Sequence, residues 1–127
     1  MIHEYQKGVK TEITENFDSN EFDCHCTYPD CQITYVDFDL VNWLQKKRDE
    51  WGKTILINSG FRCTRYNRDK KGKKGSYHLI GKAADIKVRG MLQEEVADAC
   101  EDFHGLGRYP TFPHVDVRGY KSRSSIS

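Results

Sequence analysis

Apolar positions recur at helical spacing in one clear stretch, from about Asp37 to Trp51, where Leu40, Val41, Leu44 and Trp51 share a face. Asp37 or Asp39 can supply the capping oxygen such a helix needs, and Gly52 can end it. TILINSG (54–60) follows with consecutive β-prone residues and predicts a buried strand. Residues 61–76 lose the periodicity, carry the basic run RDKKGKKG and predict a long loop. AADIKV (83–88) predicts a second strand, and 92–103 a second helix with Leu92, Val96, Ala99, Cys100 and Phe103 on its apolar side. Gly105 and Gly107 punctuate GLGRY, which with FPHVDVR predicts short strands turning near Pro110. Residues 1–21 are polar with little pattern, FDCHCTYPDC (22–31) is a turn-rich loop, and the tail YKSRSSIS is expected to fray. The expected architecture is α+β, with one small central antiparallel sheet and two main helices.

Composition narrows the class. A chain of 127 residues suits one domain, and 37% hydrophobic with 12% aromatic residues can build a core without a disulfide framework. No apolar run reaches the roughly 18 residues of a membrane span, and MIHEYQKGVKTEITEN has no signal-peptide core, so a cytoplasmic protein is expected. Twenty basic against nineteen acidic residues give a net charge of +1, which excludes a nucleic-acid binder driven by overall charge. Five cysteines in such a chain point to reduced thiols or metal ligands before disulfides.

The chemistry concentrates in SYHLIGKAAD (76–85) and HVD (114–116). His78, Asp85 and His114 offer imidazole nitrogen and carboxylate oxygen, both good zinc ligands, and three protein ligands leave a fourth position for water. His78 falls in the loop before the second strand, Asp85 within it and His114 on a neighbouring strand, so the three can converge.

SYHLIGKAAD resembles the Ser-x-His-x-x-Gly-x-Ala-x-Asp motif of the zinc D-alanyl-D-alanine carboxypeptidases. That family includes vancomycin-resistance dipeptidases and phage endolysin peptidases and shares its fold with the hedgehog signalling domain. NSGFR (58–62) is similar to the segment that precedes the motif, and GLGRYPTFPHVDVR (105–118) to the closing strand with the last histidine. The resemblance spans about 17–118, leaving 1–16 as an N-terminal extension and 119–127 as a flexible tail. It implies a hedgehog-like zinc peptidase acting on peptidoglycan peptides that contain D-amino acids; separately, a monomer is expected. A phage-encoded enzyme of this kind reaches the wall after holin-mediated release. A non-catalytic zinc-bearing binding module, or a phage tail domain, is the alternative.

By resemblance, His78, Asp85 and His114 hold the zinc, Arg62 stabilises the oxyanion and Ser76 binds substrate. Arg62 as a strand-end anchor and Ser76 as a turn residue are the plainer readings. Many relatives carry an acidic base three residues before the last histidine; here that place is Thr111. Asp116, on the same strand face as His114, is the substitute base, or else orients a ligand or Arg118 from behind; His104 is a weaker candidate. Cys24, Cys26 and Cys31 can gather with Cys63 or His25 around a second, structural zinc, or remain thiols or one disulfide. Cys100 reads as a core residue, and the run Arg68–Lys74 as the cleft rim or a solvated loop.

Overall fold

The computed structural model describes residues 1–125. Its centre is a five-stranded sheet of β5 (Ile55–Ser59), β6 (Ala83–Val88), β8 (Pro113–Asp116), β7 (Gly105–Arg108) and β9 (Ser122–Ser125), in that order. Neighbours are antiparallel except β7 and β9, which run parallel, so the sheet is mixed and not the purely antiparallel one expected. Two smaller pairings flank it: β1 (Ile2–Gln6) with β4 (Ile33–Asp37), and β2 (Glu12–Thr14) with β3 (Phe17–Asp18). The segment expected as an N-terminal extension thus supplies β1 and β2, and the expected tail supplies β9. The last two residues of that tail, 126 and 127, lie outside the described residues.

Three helices accompany the strands: α1 (Phe38–Trp51), α2 (Thr64–Asp69) and α3 (Gln93–Ala99). α1 forms where the periodicity places it. The Asp37 carboxylate accepts from Asp39 N at 2.8 Å, and Gly52 closes the helix in the left-handed region at φ 62°. α2 lies inside the segment expected to be loop, because a six-residue stretch with Tyr66 as its single apolar residue carries no readable apolar face. α3 is shorter than expected. Leu92 stands at its cap, 72% exposed, while Val96, Ala97, Cys100 and Phe103 are buried.

Strand alternation separates core from site. On β6, Ala84, Ile86 and Val88 join Leu40, Val41 and Leu44 of α1 in one hydrophobic cluster, while Asp85 points to the opposite face. On β8, Val115 enters the same core, and His114 and Asp116 share the Asp85 face. On β5 the register slips between Ile57 and Ser59, with Asn58 as the unpaired residue. Ile57 pairs with Ile86 and Ser59 with Asp85. The extra residue of this bulge re-aims Ser59 onto the site face.

Candidate metal centre and cleft

Three elements deliver the three candidate ligands. Asp85 and His114 are direct cross-strand partners on β6 and β8, which sets their side chains side by side. His78 arrives on a 3-10 turn, Tyr77–Ile80, that ends at Gly81 with φ 75°. A Cβ at Gly81 would sit 2.2 Å from Tyr35 O, so only glycine lets the turn press against β4. Ser76 caps this turn, its Oγ accepting from His78 N at 3.3 Å. It does not line the cleft; the turn-residue reading accounts for its contact.

The donor atoms fit a zinc ion. His78 Nε2 and His114 Nδ1 each lie 3.3 Å from Asp85 Oδ1, and all three ligand atoms fall within 4.8 Å of one another. A tetrahedron with zinc–nitrogen and zinc–oxygen bonds of about 2.0–2.1 Å has edges of about 3.3–3.4 Å. The outer nitrogens are engaged as well. His78 Nδ1 lies 2.7 Å from Gly60 O, a carbonyl that can only accept, so Nδ1 carries the proton and Nε2 turns its lone pair inward. His114 Nε2 lies 2.8 Å from Asp116 Oδ2, which likewise leaves Nδ1 as the inward lone pair.

Asp116 is therefore placed behind His114 and not in the cleft, contrary to its expectation as the base. Its side chain is fully buried. Arg118 donates to Oδ1 from Nε at 2.9 Å and from its backbone N at 3.1 Å, and to Oδ2 from Nη2 at 2.6 Å. The guanidinium in turn stacks 4.5 Å from the centre of the Tyr77 ring. Gly105, opposite Asp116 on β7, makes the room: a Cβ there would meet Asp116 Oδ2 at 2.1 Å. Gly107, opposite His114, makes room chiefly for Tyr109: a Cβ there would meet the Tyr109 ring at 2.4 Å and would lie 3.1 Å from His114 Cβ. The Gly-x-Gly of β7 matches the His-x-Asp of β8, a pattern visible in sequence once the strands are known to pair.

Electrostatics follow from this packing. Burial alone would push the Asp85 carboxyl up, but the His114 and His78 rings hold it well below the usual carboxylate range. Burial would also raise Asp116, but Arg118 and His114 outweigh it and hold that carboxyl low as well. The His114 imidazole is raised, since Asp116 and Asp85 outweigh its desolvation.

Beside the ligands opens a cleft of about 370 Å³, lined by His25, Asn58, Ser59, Arg62, Tyr66, Lys70, Asp85, Thr111 and Phe112. Arg62 donates from Nε to Ser59 Oγ at 3.0 Å and from Nη2 to Asp85 Oδ2 at 3.2 Å, contacts that tie it to the end of β5 and place it beside the candidate ligands. Thr111 is on the wall with a hydroxyl and no carboxylate. Lys70 brings part of the basic run to the rim. His104 does not line the cleft; its Nδ1 accepts from Gly119 N at 2.9 Å. His25, weighed in sequence only as a cysteine-site ligand, is exposed on the wall. A groove of about 410 Å³ between α3 and the β7–β8 turn gathers no comparable ligand set among the described residues.

Cys24, Cys26, Cys31 and Cys63 come together beside this cleft as free thiols, while Cys100 is buried in the main core. The family model described as Peptidase M15 matches residues 12–117, a span holding both clusters, Arg62 and β2 through β8. No curated protein matches the chain.

Proposed function

The chain belongs to the peptidase M15 family, and from that membership we propose that it is a zinc-dependent hydrolase of bacterial cell-wall peptides, with His78, Asp85 and His114 holding the ion. One observation carries this reading. Each imidazole turns its outer nitrogen to a fixed acceptor, Gly60 O or Asp116, and its inner nitrogen to Asp85. That is the preparation a metal-ligating histidine needs. Bound there, zinc supplies Lewis acidity, polarising a scissile carbonyl and lowering the pKa of water.

The chain's own groups do the rest. Arg62, braced by Ser59 and Asp85, donates to the scissile carbonyl oxygen as negative charge develops on it. Asp116 and Arg118 fix the ring and tautomer of His114. Thr111 cannot take a proton near pH 7, and Asp116 has no face on the cleft. His25 is the imidazole on the cleft wall, and imidazole is the side chain suited to exchanging protons near neutrality, so we assign it the proton transfer from water to the leaving amine. Lys70 at the rim favours carboxylate-bearing substrates.

The finer reading, a hedgehog-like peptidase cutting bonds next to D-amino acids in an endolysin-type role, rests on the order of NSGFR, SYHLIGKAAD and HVDVR along the chain. A non-catalytic zinc-bearing module is the second reading. It is favoured by Thr111 at the usual acidic place and by the full engagement of Asp116. The test is incubation of the zinc-loaded protein with purified peptidoglycan and D-Ala-D-Ala peptides, with released fragments identified by mass spectrometry. Release that stops on chelation and in His78→Ala supports the hydrolase. Retention on peptidoglycan with no product from any substrate supports the module.

A further inference from the structure

We propose that Cys24, Cys26, Cys31 and Cys63 form a second metal site, a closed tetrathiolate zinc centre that holds the His25 loop against the segment carrying Arg62. The four sulfurs lie within 4.8 Å of one another, with Cys26 Sγ and Cys63 Sγ 3.8 Å apart. A tetrahedron with zinc–sulfur bonds of about 2.3 Å has edges of about 3.8 Å. A disulfide needs sulfurs at about 2.05 Å in pairs, and pairing gives no reason for all four to converge. Four protein ligands fill the coordination sphere, which makes the site structural and distinct from the three-ligand centre on the sheet.

The surroundings suit the charge. Each thiol loses a proton to solvent as zinc binds, so four thiolates around Zn²⁺ carry a net charge of two minus. Lys7 places its ammonium 3.5 Å from Cys26 Sγ and 3.1 Å from Cys26 O. The backbone N–H of Cys63 donates to Cys24 Sγ at 3.3 Å. Tyr28, Tyr35, Phe61 and Tyr66 pack around the sulfurs and limit solvent access. Residues 23–28, which carry Cys24 and Cys26, adopt neither helix nor strand, and the small aromatic cluster alone gives the loop little to bury. Metal ligation supplies the ordering free energy.

The placement of the ligands extends the effect to the cleft. His25 lies between two of them, and Cys63 directly follows Arg62 and precedes α2. Cys24, Cys26 and Cys63 are thus positioning residues for His25 and Arg62. This consequence for turnover rests on the hydrolase reading; the metal site does not.

The test starts from the His78→Ala, His114→Ala double variant, which empties the sheet site and leaves the thiols intact. It should retain one equivalent of zinc. Replacing that zinc with cobalt should give the intense thiolate-to-cobalt charge-transfer absorption of a sulfur-rich tetrahedral centre. Loss of all zinc from this variant, absence of that absorption, or thiols that react with a disulfide reagent equally with and without zinc would overturn the site. Cys26→Ser in the otherwise unaltered protein should lose one equivalent, keep the other, and lower peptide turnover roughly tenfold or more through misplacement of His25 and Arg62. Unchanged turnover with the equivalent lost would overturn the positioning role. If Cys26→Ser fails to fold, the cobalt spectrum of the histidine variant still decides the site.

Discussion

Asp116→Asn separates the two roles open to this residue, because it keeps the shape and removes the charge. The carboxylate is fully buried and serves His114 Nε2 at 2.8 Å together with three donors from Arg118. Asparagine offers one acceptor oxygen in place of two, so either His114 or the Arg118 guanidinium meets an amide N–H donor to donor. Removing an outer partner of a metal-bound histidine costs about 10–100-fold in metal affinity, or about 1.4–2.8 kcal/mol. Breaking the Asp116–Arg118 pair adds a stability cost below the roughly 3–5 kcal/mol of a fully buried pair, since Arg118 is 19% exposed and can rotate toward water. The assay is a competition titration of zinc against a fluorescent chelator, run beside turnover at saturating zinc and a thermal melt. The expected result is weaker zinc binding with turnover largely recovered at saturation. Unchanged zinc affinity with turnover lowered roughly 100-fold or more, the scale of general-base loss, would refute this reasoning and return the base to Asp116.

His25→Gln should keep both zinc equivalents by elemental analysis and lower turnover about 100-fold. Gly81→Ala forces a left-handed backbone and a Cβ 2.2 Å from Tyr35 O, so thermal or urea unfolding should show a loss of at least about 2 kcal/mol. Asp37→Ala removes the α1 cap and the 2.8 Å partner of Lys82, costing about 1–2 kcal/mol near pH 7 in urea melts. Burial alone would raise the Asp37 carboxyl, but Lys82 and the Asp39 N–H hold it below its ordinary value. Its contribution is therefore present above the unfolded pKa of about 3.9 and is lost as pH falls through the folded value, so the gap between wild type and variant should shrink in melts below about pH 4.

The family and the candidate ligand set were legible from the chain alone. SYHLIGKAAD carries two of the three candidate ligands seven residues apart, and β6 spans residues 83–88 as read, because a strand with alternating Ala84, Ile86 and Val88 declares its buried face locally. α1 was equally plain, since its period, its Asp37 cap and its Gly52 stop are all short-range signals. The tertiary structure decided what depends on partners distant in sequence. β1 joins β4 across some thirty residues, and β9 joins β7 through polar residues with no pattern of their own. Asp116 shares a strand face with His114, as its two-residue spacing requires, yet that spacing cannot say on which side of the ring it lies. The hollow above Gly105 and the reach of Arg118 draw the carboxylate behind the imidazole. His25 reaches the cleft from a loop whose Cys24 and Cys26 lie against Cys63, thirty-seven residues beyond Cys26. Local periodicity records which way a backbone turns and which face it buries; the direction of a polar side chain is set by what the rest of the chain packs around it.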